Sequence, residues 1–238
     1  TAMARIDRLE LPEITEFEAQ RHYLHLSQMT LGMMGVSLFG TCTMKYNSKT
    51  AEYATLTPNL AEVHPYQHPD TLQGILKIIH DFDGILRSLS GMDQFIFQAG
   101  GGADAAYTMT AVARAYWADR GMLGHRTEMV TSVQAHPCNP ATAAAAGFDV
   151  VNLPLEDSGY PSLDALRAAV SDRTALIMIN NPDDMGIYNP EIKEWVQIAK
   201  KAGALCFYDH ANFNGVMGKL SARELGFDAC MFMLHKTF

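Results

Sequence analysis

The chain has 238 residues, 48% hydrophobic and 18% charged, with a formal net charge of −8. This suits one large α/β domain with a substantial core, or a domain with an incomplete companion, and argues against a nucleic-acid surface because no basic block offsets the charge. No apolar run approaches a membrane span, residues 1–15 lack a signal-peptide pattern, and Cys42, Cys138, Cys206 and Cys230 form no CxxC pair, so the sequence predicts a soluble cytoplasmic or organellar protein with neither a metal site nor a disulfide framework.

The spacing predicts a first helix over 16–28, followed by a loop-rich stretch over 29–69. That stretch holds Gly40-Thr41-Cys42-Thr43-Met44-Lys45-Tyr46-Asn47 and His64-Pro65-Tyr66-Gln67-His68-Pro69. Loops of this length in compact proteins are usually functional or bound to a partner. Asp70 is expected to cap a helix running to about Ser90, with Leu72, Ile75, Ile78, Ile79, Phe82 and Leu86 on one face. From Gln94 the rhythm becomes strand, turn, helix. Strands are expected at 95–98, 128–132, 150–153, 175–179, 205–208 and 230–234, with helices at 105–120, 141–146, 163–170, 191–202 and 221–225. Such alternation means a largely parallel sheet covered on both faces. The expected division is residues 1–69 as an N-terminal helix with site and interface loops, and 70–238 as the large domain. The fourteen methionines fit either broad apolar subunit contacts or ordinary core filling.

Asp209 and Lys236 each follow a strand-like segment, so both emerge where parallel α/β folds place ligands. That pair suits pyridoxal phosphate: a lysine amine forms a Schiff base with the aldehyde, and an aspartate keeps the pyridine nitrogen protonated. Separately, each has a plainer reading, as a solvated lysine and a helix N-cap. The turn Ala99-Gly100-Gly101-Gly102-Ala103-Asp104 can offer backbone N–H groups to a phosphate at a helix N-terminus, although it has neither a P-loop lysine nor Rossmann spacing. A plain tight turn fits it equally. His136 is either an ordinary post-strand histidine or a plate stacked on the pyridine ring. Asn180-Asn181-Pro182 is either a turn or the source of an amide for the ring's phenolate oxygen. Ala211 is small enough to let the ring pack closely.

The chain resembles the pyridoxal-phosphate subunit of glycine dehydrogenase (decarboxylating), the P-protein family of the glycine cleavage system. The strings that carry the resemblance are Cys42-Thr43-Met44-Lys45-Tyr46-Asn47, Gly91-Met92-Asp93, His136 with Asn139-Pro140-Ala141, Asn181-Pro182 with Gly186, Asp209 with Ala211-Asn212, Gly226-Phe227-Asp228 and His235-Lys236-Thr237-Phe238. The resemblance implies a fold type I, aspartate-aminotransferase-like large domain with a mostly parallel seven-stranded sheet. It implies that the last strand and a small C-terminal domain lie beyond this chain, which is expected to be a fragment of a longer polypeptide. Lys236, Asp209 and His136 are the implied catalytic residues. Gly102, Ala103, Asp104, Asn181, Ala211 and His235 join them around the cofactor, with Thr43, Lys45 and Asn139 at the substrate. The implied reaction is decarboxylation of glycine with transfer of the aminomethyl group to the lipoyl arm of the H-protein. The implied partner is subunit 1 of a two-chain P-protein, or further copies of this chain.

The departures cluster on the site-facing loops. The family's Pro-Ala-Ala-Gly-Ala-Gln/His-Gly-Glu is Ala99-Gly100-Gly101-Gly102-Ala103-Asp104-Ala105-Ala106 here. His-Gly-Thr-Asn is His136-Pro137-Cys138-Asn139, Thr-Asn-Pro-Asn-Thr is Asn180-Asn181-Pro182-Asp183-Asp184, and Asp-Gly-Ala-Asn is Asp209-His210-Ala211-Asn212. This pattern suits a paralogue with an altered substrate or acceptor. Alternatives are therefore a decarboxylase or lyase acting on another amino acid without a lipoyl acceptor, or a non-catalytic partner subunit. Asp183 and Asp184 either face the site and favour a cationic substrate group, or cap the following turn.

Overall fold

A computed structural model describes residues 10–29 and 48–237. The chain divides into two units, Thr1–Glu52 and Tyr53–Phe238. In the first lies α1 (Glu16–Met29), opened by a Thr15 hydroxyl that accepts the Glu18 N–H at 3.2 Å. Helix α2 (Lys49–Thr55) crosses the division.

The second unit continues with α3 (Pro58–Ala61), a 3-10 turn (Pro69–Thr71) and α4 (Gln73–Ser90). After them come α5 (Gly102–Asp119), β1 (Glu128–Ser132), α6 (Cys138–Ala145), β2 (Asp149–Leu153), α7 (Leu163–Ala169) and β3 (Thr174–Asn180). The unit closes with α8 (Ile192–Lys201), β4 (Leu205–His210), a 3-10 turn (Phe213–Gly215), α9 (Ala222–Leu225), β5 (Ala229–Phe232) and α10 (Leu234–Thr237). The strands form one parallel sheet in the order β2-β1-β3-β4-β5.

Strand periodicity sorts the core into two layers. Met129, Leu176, Met178, Phe207 and Met231 face α5 and α6, where Ala106, Met109, Ala113 and Trp117 repeat at helical spacing. Val130, Ile177, Ile179, Cys206 and Tyr208 face the other way, toward Leu166 of α7 and Ile192, Trp195, Val196 and Ala199 of α8. Every residue of β3 is buried, as expected of a central strand covered on both sides.

The fold class matches the expectation, with two corrections. The described residues form five of the six strands expected within this chain. Residues 95–98, expected as a strand, join no ladder: the Phe95 N–H donates to Asp83 Oδ1 at 2.7 Å, and its ring rests 5.7 Å from that of Phe232. Asp70 does not cap α4 but sits in the preceding turn, where its N–H donates to His68 Nδ1 at 3.3 Å. On α4 the apolar stripe exists, yet only Leu86 and Ser90 are buried.

His210 points into the layer opposite Asp209, flat against Phe232 with ring centroids 5.2 Å apart, and it is 1% exposed. Neither ring nitrogen has a partner among the described residues, and burial pushes its pKa down to about 3. The imidazole is therefore neutral in the fold down to about pH 3, whereas the unfolded chain takes up a proton there below 6.5. Its contribution to stability is fully present above the ordinary value of 6.5 and is lost as pH falls from there toward about 3. His210→Phe is expected to flatten this loss. In denaturant titrations its stability advantage over the parent should grow on acidification by up to ~1.4 kcal/mol per pH unit. An identical pH slope in both proteins would show that His210 titrates freely in the fold.

Candidate active site

The C-terminal ends of the strands gather the candidate residues. Residues 136–139 follow β1, 180–184 follow or end β3, 209–212 end and follow β4, and 233–236 follow β5. Asp209 is in register with Asn180 on β3 and Met231 on β5, so the three side chains leave the same face of the sheet. The start of α5 meets this face. A Cβ at Gly102 would lie 2.5 Å from Met233 Sδ, so a larger residue there requires the Met233 side chain to move aside.

Asp209 is 1% exposed. Its Oδ1 accepts the Ala211 N–H at 2.9 Å and its Oδ2 accepts Asn139 Nδ2 at 3.1 Å. Burial raises its pKa against the opposing pull of those two hydrogen bonds and of His136. The Asp184 carboxylate adds to the rise. A buried carboxylate in this state is stabilised by any cationic N–H brought against it.

His136 is exposed, and its Nδ1 accepts the Cys138 N–H at 3.1 Å, which leaves the proton of the neutral ring on Nε2. The Cys138 thiol is pushed up to about 11 by burial first, then by Asp209 and Asp184, while Lys236 opposes the rise. Cys138 thus lies within electrostatic reach of all three groups, and at neutral pH it is an inert thiol. Lys236 and the exposed His235 sit on α10. The Lys236 N–H donates to the Met233 carbonyl at 2.9 Å, and its own carbonyl accepts Asn214 Nδ2 at 2.6 Å. The lysine-bearing turn is thereby tied to the turn that follows β4. At the start of α5, the N–H groups of Gly102, Ala103 and Asp104 have no intrahelical acceptor, and the first ladder bond is Ala105 N–H to the Gly101 carbonyl at 2.9 Å. The Asp104 carboxylate turns back to accept the Gly100 N–H at 3.2 Å.

Two residues expected at the site are taken up by hydrogen bonds within the protein. Asn139, expected at the substrate, is 0% exposed and donates its amide to Asp209, so it orients that carboxylate. Asn181, expected at the cofactor, is 2% exposed and its amide is taken up by the Asn189 backbone, at 3.0 Å as donor and 2.8 Å as acceptor. Ala211 supplies a backbone N–H to Asp209 at the place its sequence position suggests. Thr43 and Lys45 lie outside the described residues. Asn214 had no expected role, whereas Asn180 and Asp184 were each expected under two alternative readings. Asn180 Nδ2 donates to Asp184 Oδ1 at 3.0 Å, a pairing no spacing rule marks.

The aminotransferase class-V family matches residues 89–238. A relative from Thermococcus kodakarensis is 45% identical over 237 residues, covering 99% of this chain and 47% of its own; it is named probable glycine dehydrogenase (decarboxylating) subunit 2. A relative from Pyrococcus horikoshii with the same name is 44% identical over 231 residues, covering 97% of this chain and 46% of its own. The chain thus spans about half the length of the curated relatives it matches. Among solved structures, the sphingosine-1-phosphate lyase of Burkholderia pseudomallei superposes with a TM-score of 0.62 at 19% identity, over 86% of this chain and 49% of its own. A NifS-like protein gives a TM-score of 0.60 at 19% identity, over 72% of this chain and 47% of its own. These two share the fold.

Proposed function

The chain belongs to the aminotransferase class-V family, and from that premise we propose that it carries the pyridoxal-phosphate site of a glycine-decarboxylating enzyme. The observation that carries the reading is Asp209: a buried carboxylate, oriented by Asn139 and Ala211, on the strand ends that also bear Lys236. The residues present fit the cofactor. The carboxylate suits a pyridinium N–H, and the open N–H groups at Gly102, Ala103 and Asp104 suit a phosphate. When bound, pyridoxal phosphate supplies an electron sink that eases loss of carbon dioxide from the α-carbon.

In this reading Lys236 would hold the cofactor through its amine. Asp209 holds a proton on the ring nitrogen, and Asn139 holds Asp209. His136 covers one ring face, and the small Ala211 leaves room at the other. Glycine as substrate is supported by the names of the relatives, as is a subunit 1 partner. Transfer to a lipoyl carrier completes the proposal.

The experiment is release of carbon dioxide from carboxyl-labelled glycine by the full-length protein with its partner subunit. Release should require pyridoxal phosphate and increase when a lipoylated carrier is supplied. Release from another amino acid but not from glycine would overturn the substrate assignment.

A further inference from the structure

The loop after β3 carries two adjacent carboxylates with different tasks. Asp183 Oδ1 accepts the N–H groups of Met185 and Ile187, each at 2.9 Å, and so fixes the turn. Asp184 turns back toward the sheet. Its Oδ1 accepts Asn180 Nδ2 at 3.0 Å and Asn212 Nδ2 at 3.4 Å. Asn180 is 6% exposed, and its Oδ1 is buried without a hydrogen-bond partner. The amide cannot be turned round to satisfy that oxygen, because its nitrogen is held by the Asp184 carboxylate. Asn180 also leaves the sheet on the same face as Asp209, its partner in register.

The polar atoms left open here are acceptors, and one belongs to a buried group whose missing partner is costly. A carboxylate ligand would meet only repulsion. We propose that Asn180 Oδ1 and Asp184 form an acceptor-only subsite, beside Asp209, for the ammonium or guanidinium group of an amino-acid ligand. The proposal rests on the amino-acid-binding reading above and names the chemistry that this corner selects.

The test compares methylguanidinium with N-methylurea, a neutral probe of the same shape, by titration calorimetry on the full-length protein. Neither forms a covalent link to the cofactor, so cofactor-loaded and cofactor-free protein can both be measured. The parent should prefer the cation, and Asp184→Asn should reduce that preference about tenfold, as expected for loss of a charged hydrogen-bond acceptor. Asp184 is exposed and its replacement keeps an acceptor for Asn180, so folding should be unaffected. Absence of the preference in the parent, or its survival undiminished in Asp184→Asn, would overturn the subsite. Glycine and 2,4-diaminobutyrate then identify the group bound. Weakening of both by Asp184→Asn assigns the α-ammonium, and weakening of the diamino acid alone assigns a side-chain cation. If neither weakens, no amino-acid ligand uses the subsite and the proposal falls. A cation preference without any visible cofactor absorbance would instead count against the cofactor reading alone.

Discussion

Lys236→Ala is expected to abolish covalent retention of pyridoxal phosphate and to lower turnover by roughly 10⁴-fold or more, the scale set by losing a covalent catalytic group. The loss should be chemical rather than structural. The bonds that fix this turn, from the Lys236 N–H to Met233 and from Asn214 to the Lys236 carbonyl, involve its backbone alone and survive the substitution. Gel filtration in cofactor should show the parent emerging coloured and the variant emerging bare, with matching unfolding midpoints. A variant that keeps its colour and most of its turnover would remove Lys236 from the site.

Asp209 gives the second large effect. Asp209→Asn should retain the cofactor yet lower decarboxylation by about 10²–10³-fold, because a neutral amide does not hold a proton on the ring nitrogen. Asp209→Ala is a poorer probe of chemistry, since it strips Asn139 and the Ala211 N–H of a buried acceptor, at about 1–3 kcal/mol for each unsatisfied group. A pH signature accompanies the role. Because burial raises the Asp209 pKa, its contribution to the stability of the cofactor-free protein is full below the ordinary value of 3.8 and is lost as pH rises through the raised value. A cationic cofactor nitrogen reverses that penalty, so stabilisation by the cofactor should grow with pH across the same window. Thermal-shift curves with and without pyridoxal phosphate measure it. Equal turnover in Asp209→Asn and parent would refute the assignment.

Much of the fold was legible because buried parallel strands appear as unbroken apolar runs. Residues 175–179 and 205–208 were placed within a residue or two of β3 and β4 for that reason. Residues 95–98 have the same composition but no ladder partner, and strand pairing is a property of neighbours rather than of a segment. At the candidate site, strand-end position was enough to predict that Asp209 and Lys236 lie at the same edge of the sheet. It could not assign the asparagines, since an amide serves equally as ligand contact, turn lock or support. Asn139 became the support of Asp209 and Asn181 the lock on Asn189. The paired aspartates show the same limit. Alternation alone cannot tell that Asp183 caps the turn while Asp184 faces Asn180, because the distinction depends on the loop's tertiary path.

The central claim is that Lys236 holds pyridoxal phosphate at these strand ends. Borohydride reduction of the cofactor-loaded full-length protein, followed by peptide mass mapping, tests it most directly. One reduced pyridoxyl adduct per chain is expected, on the peptide that contains His235-Lys236-Thr237. An adduct on any other lysine, or none after saturation with cofactor, would contradict it.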